Sequence, residues 1–219
     1  MKRTFFSLAL LLAVATLTAQ TKMTAREAAV KIADRILAST TYEFKNTKTG
    51  ETYKSVKKLP LDMDVKVACK YNNWHYTNGV TNMALMELGD KLGDKKYEKY
   101  VLKNMNFVFN EGNLDFFRKQ YDEAFKRDGW NAVRKLSWHM IFRGKRLDDN
   151  GPMGASLIEL QLKYPNDSFL GYINETAEHL NYGEPRLVDG TIARIWPHVN
   201  TIWADDAFMA ISFLARMGK

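Results

Sequence analysis

Beyond residue 77, apolar residues recur at helical spacing. They predict helices at 78–91, 95–110, 114–127, 130–143, 151–163, 167–182 and 203–218. Nearer the start, Thr24-Ala-Arg-Glu27 has capping-box spacing, and Ala28 to Leu37 places apolar residues on one helical face. This predicts a first helix. Residues 40–73 are rich in Thr, Asn, Gly and Lys and predict irregular chain with short strand pieces at most. After residue 75 no run alternates as a half-buried strand would. The expected fold class is all-α.

The periodic segments also repeat. NGVTNMALMELGDKLGDKKYEKY, from Asn78, aligns without a gap on NGPMGASLIELQLKYPNDSFLGY, from Asn150. Leu85, Glu87 and Leu88 fall on Leu157, Glu159 and Leu160, Tyr97 falls on Phe169, and Tyr100 on Tyr172. A weaker third copy starts at Asp206-Ala207, with Met209, Phe213 and Leu214 on apolar positions. Each copy reads as a helical hairpin, a small-residue helix followed by an aromatic-bearing one. Such repeats build open solenoids or closed double rings, and small apolar first helices suit the crowded centre of an α/α toroid.

Aligning the copies on their expected helix starts puts Thr77, Asp149 and Asp205 at equivalent N-cap positions at one end of the ring. Trp74, His75 and Tyr76 lie beside the first copy and Trp203 beside the third. Each aspartate belongs to a doubled pair, Asp148-Asp149 and Asp205-Asp206, although one carboxylate suffices for a cap. Two carboxylates facing one cleft, one protonated and one charged, are what sugar chemistry requires.

The N-terminus narrows the setting. Lys2 and Arg3 precede an apolar run from Phe5 to Leu17, and Thr18-Ala19-Gln20 supplies small residues for cleavage. Residues 1–20 therefore read as a secretory signal peptide, too short for a membrane span. No cysteine follows that run, so no lipid anchor is expected, and no second run reaches membrane length. The mature protein is expected to be secreted or periplasmic and free of the membrane. The formal charge of +7, less Lys2 and Arg3, leaves +5 and favours polyanionic partners. An exported protein meets acidic glycans rather than nucleic acid. Cys69 is the single cysteine, so packing without an internal disulfide must hold the fold.

Three segments, WHYTNGV (74–80), LDDNGPMGASLIEL (147–160) and DGTIARIWPHVNTIWADDAFMAISFLARMGK (189–219), resemble the unsaturated rhamnogalacturonyl hydrolases, glycoside hydrolase family 105. The unsaturated glucuronyl hydrolases are similar but more distant. The resemblance runs from about residue 24 to the end and implies an (α/α)6 barrel, here about eight of twelve helices. Residues 21–219 would then be the N-terminal portion of a catalytic domain, and a truncated product or fragment is expected. The resemblance implies protonation of a vinyl ether at C4, water addition at C5 and collapse of the hemiketal, with no metal or organic cofactor. The substrate would be an oligosaccharide ending in a 4,5-unsaturated uronic acid, of pectin or rhamnogalacturonan origin. Carried over by position, Asp205 would be the general acid/base and Asp149 would orient water or hold the ring. Tyr76 and Trp74 would line the sugar site, as would Trp203 and His198, while Asp148 and Asp206 would be caps or supporting groups. Many family members carry His-Lys where this chain has Ala193-Arg194, and Arg194 is kept as a carboxylate-binding candidate.

Other constellations carry less. His75, His139, His179 and His198 lack metal-site spacing, and LGDKLGDKK (88–96) lacks P-loop spacing. Arg143-Gly-Lys-Arg146 reads first as a solvated helix end and second as an attractor of anionic sugar. The competing functional readings are a truncated, non-catalytic helical glycan-binding module and a helical-toroid polysaccharide lyase. The lyase is disfavoured by aspartates standing where a lyase needs Tyr or His. Oligomeric state is left open.

Overall fold

The computed structural model describes residues 23–143 and 146–218, so the signal-peptide reading of residues 1–20 lies outside the described residues. The chain divides after Arg35 into two compact units. The first holds most of α1 (Ala25–Ser39). Its predicted capping box forms: Thr24 Oγ1 accepts from Glu27 N at 3.2 Å, and Glu27 Oε2 accepts from Thr24 N at 2.8 Å.

The second unit opens with a small antiparallel sheet of order β2-β1-β3, made of β1 (Phe44–Asn46), β2 (Thr52–Tyr53) and β3 (Val65–Val67). Phe44 pairs with Tyr53 on one side and Val67 on the other. Phe44, Asn46, Val65 and Val67 are buried, so the short strand pieces expected between 40 and 73 do alternate.

Helices make up the rest: α2 (Tyr76–Leu92), α3 (Lys96–Val108), α4 (Glu111–Val133), α5 (Leu147–Lys163), α6 (Asp167–Glu178) and α7 (Ala204–Met217). α3 packs on α2 and α6 on α5, giving the two predicted hairpins. The aligned aromatics Tyr97, Tyr100, Phe169 and Tyr172 are all buried. α5 lies between α2 and α7, so α2, α5 and α7 form one row of a partial α/α barrel. Glycine sets that row's spacing. A Cβ on Gly79 would stand 2.4 Å from the Pro152 carbonyl carbon, and one on Gly151 2.0 Å from the Met209 oxygen.

Two predicted helices differ. The break expected between the helices at 114–127 and 130–143 is present, at Asp128 and Gly129, the latter at φ +50°, but the second helix ends at Val133 rather than 143. Only a 3₁₀ turn, His139–Phe142, follows. The helix expected to reach residue 182 ends at Glu178 and widens into a π-turn, His179–Gly183.

Candidate active site

α2 and α5 start at Tyr76 and Leu147, before the predicted 78 and 151, while α7 starts at Ala204, one residue after the predicted 203 and two before the start given by the repeat alignment. The carbonyl of His75 accepts from Asn78 and Gly79, that of Arg146 from Asp149 and Asn150, and that of Trp203 from Asp206, at 2.9–3.2 Å. His75, Arg146 and Trp203 are therefore the equivalent N-caps, and neither pair of acids is a cap. The second positions are Thr77, Asp148 and Asp205, and the third are Asn78, Asp149 and Asp206. This corrects the expected register, in which Thr77, Asp149 and Asp205 were equivalent. In both acid pairs the negative charges sit in a helix's first turn, where the dipole favours them.

The two positions do different things. The third-position residues are buried, and each ties down the segment before its helix. Asn78 Nδ2 donates to the carbonyls of Lys70 and Asn73, both at 2.9 Å. Asp149 Oδ2 lies 3.0 Å from Arg143 Nε, an ion pair without the alignment of a hydrogen bond. Asp206 receives the Arg194 fork in two bonds, Nε to Oδ2 and the terminal nitrogen to Oδ1, at 2.5 and 2.6 Å. The second-position residues are more open: Asp205 is exposed and Asp148 partly so.

The structure thus brings Asp148 to Asp205, rather than Asp149. Carboxylate oxygens of Asp148, Asp205 and Asp206 lie within 4.8 Å of one another, the closest arrangement to a cation site among the described residues. Positive charge is already there, because Arg194 holds Asp206 and reaches within 3.8 Å of Asp148. Burial raises the Asp148 carboxyl above its usual range, and the charges of Asp206 and Asp205 add to that while Arg194 opposes it. Burial is stronger at Asp149, whose carboxyl is pushed up to about 6 against the pull of Arg143.

Asp148, Asp206 and Arg194 border a cleft of about 290 Å³, which Asp149 and Asp205 do not line. Asp148, Asp206 and Glu184 contribute acids, and Arg146, Arg194 and His179 face them. Leu147, Pro185, Ala193, Ile195 and Trp196 form apolar wall. The loop between α6 and α7 supplies most of this. Arg194 N donates to the Thr201 carbonyl at 2.8 Å, and Arg186 bonds the carbonyls of Leu180 and Gly190. His179 Nε2 and Glu184 Oε2 stand 2.8 Å apart across the π-turn, and Gly183 leaves room for the imidazole. Burial pushes the Glu184 carboxyl up, with His179 opposing.

Among the expected sugar-lining residues the outcome is mixed. Trp74 is 0% exposed: its ring packs 4.8 Å from that of Tyr172, and its N–H donates to the Asp149 carbonyl at 2.8 Å. It fixes the start of α5 and lines no opening. Tyr76 is exposed at the start of α2, against His75. Trp203 is partly open beneath the Arg194 guanidinium, 4.1 Å from its ring centroid. His198 lies exposed on the Arg194–Thr201 loop, away from the cleft lining. Arg194 is in place, but its fork is matched to Asp206. Sequence reasoning missed Arg143 and Arg146 as separate roles, and missed the His179–Glu184 pair.

A family model of Glycosyl Hydrolase Family 88 matches residues 52–219, a span that includes the whole cleft. The chain belongs to this family. Glycosyl Hydrolase Family 88 is the unsaturated glucuronyl and rhamnogalacturonyl hydrolase family, and the helical row is the partial α/α barrel of that fold. A comparison with curated proteins finds no match. Membership in family 88 supports a glycoside hydrolase acting on unsaturated uronic acid glycans.

Proposed function

We propose that this chain removes a 4,5-unsaturated uronic acid from the end of rhamnogalacturonan- or pectin-derived oligosaccharides, following export behind the leader read at residues 1–20. The observation that carries the reading is the approach of Asp148 to Asp205 at the N-termini of α5 and α7, beside a cleft bearing arginines. Asp205, exposed and reachable, serves as general acid and then base. Its carboxyl proton goes to C4 of the vinyl ether, leaving an oxocarbenium centre at C5. Water adds at C5, and the Asp205 carboxylate takes the released proton. The resulting hemiketal opens and frees the remaining sugar. Asp148 replaces Asp149 as the partner acid, since it meets Asp205 while Asp149 is committed to Arg143.

The test follows the ultraviolet absorbance of the C4–C5 double bond. Protein mixed with lyase-generated unsaturated rhamnogalacturonan disaccharide is expected to lose that absorbance. Asp205→Asn is expected to abolish the loss and Asp148→Asn to reduce it strongly, whereas a flat trace with folded wild-type protein rejects the substrate.

A further inference from the structure

We propose that Arg146 is the residue that reads the substrate's carboxylate, a specificity role resting on the hydrolase reading above. Three basic side chains border the cleft, Arg146, Arg194 and His179. Arg194 is bound at two atoms to Asp206 and lies within ion-pair distance of Asp148. His179 faces Glu184 at 2.8 Å. The Arg146 guanidinium makes no hydrogen bond or ion pair among the described residues, and the residue is exposed. It is the one cleft-lining cation among the described residues with its fork unmatched.

Its placement fits that role. Arg146 is the N-cap of α5, two residues before Asp148, so its backbone is fixed by the hydrogen bonds that start the helix. Its guanidinium lies 5.5 Å from the Trp196 ring centroid. Trp196 is 63% exposed, so it steadies the cation while leaving it open to solvent. A planar fork held beside an aromatic ring, in the same cleft as the acids, suits a second, mobile carboxylate. The unsaturated uronate carries its carboxylate on C5, the carbon at which water adds. An arginine beside Asp148 would hold that carbon at the acids and distinguish a free uronate from its neutral ester.

The experiment compares two substrates with three proteins. The substrates are the unsaturated rhamnogalacturonan disaccharide and its uronate methyl ester. The proteins are wild type, Arg146→Gln and Arg146→Lys, each checked for an unchanged melting temperature. Arg146→Gln is expected to raise KM for the acid about 10- to 100-fold, the effect of one charge-assisted bidentate contact, with a far smaller change in kcat. On the ester the same substitution changes KM little, and Arg146→Lys recovers part of the loss on the acid. Equal losses on acid and ester, or no loss on the acid, would overturn the assignment. If the wild type hydrolyses neither compound, the hydrolase reading fails. Calorimetric titration with a saturated galacturonate disaccharide then decides the carboxylate site alone. Binding that Arg146→Gln weakens supports it, while absent or unaffected binding rejects it.

Discussion

Asp148 and Asp149 are adjacent in sequence and face different surroundings. Asp149 is 6% exposed, with its carbonyl held by Trp74 and its carboxylate against Arg143. Its carboxyl titrates at about 6 in the fold, above the ordinary carboxylate value. A folded state that binds the proton more tightly is favoured below the ordinary value and loses that advantage as pH rises towards 6. The melting temperature of wild type relative to Asp149→Asn is therefore expected to fall between about pH 4 and pH 6 and to stay level above. A relative stability that climbs over that window would reject this account. The sequence made the doubled acids visible but not their division of labour. That division depends on which residue starts the helix, and Arg146 and Trp203 are not residue types that announce a cap. Trp74 was equally opaque, because an aromatic beside an acid can line a cleft or fill a core.

At the scale of elements, the row of α2, α5 and α7 rests on contacts that leave no room for side chains. Gly151 meets the main chain of Met209, which cannot rotate away as a side chain could. Gly151→Ala is expected to cost about 1–3 kcal/mol or more in urea unfolding, because backbone must shift. The N-cap of α6 offers a milder comparison. Asn166 Oδ1 accepts from Ser168 N at 2.9 Å and Phe169 N at 3.3 Å. Asn166→Ala is expected to cost about 1 kcal/mol by the same measurement. If both variants unfold like wild type, the helix contacts described are not those that hold the row. The hairpins were legible because Tyr97 with Tyr100, and Phe169 with Tyr172, keep the same spacing and are buried alike. The π-turn and the His179–Glu184 pair were not, since they arise where the helix widens and no local residue pattern marks that.

The whole molecule presents an apolar stripe along α7. Phe208, Ile211, Leu214 and Met217 recur at helical spacing and are exposed. A stripe of this kind favours association. Purified protein is expected to self-associate as its concentration rises, and Ile211→Lys is expected to suppress this in sedimentation velocity without lowering the melting temperature. Equal sedimentation of the two proteins would show the stripe to be inert. The all-α class and the paired hairpins could be read from periodicity over the whole chain. The loop between α6 and α7 could not, because Arg194, Asp206 and Thr201 are joined by contacts rather than by pattern.

Main chain resting on main chain at Gly79 and Gly151 also bears on how the protein tolerates change. The spacing of α5 and α7, the helices that carry Asp148 and Asp205, is gauged by backbone contact at Gly151. Drift among the buried aromatic rings, which alters side-chain volume, would lower stability before it changed the reach of the acids. A lineage of such proteins would be free to exchange Phe for Leu or Tyr throughout the core while those two glycines stayed as they are.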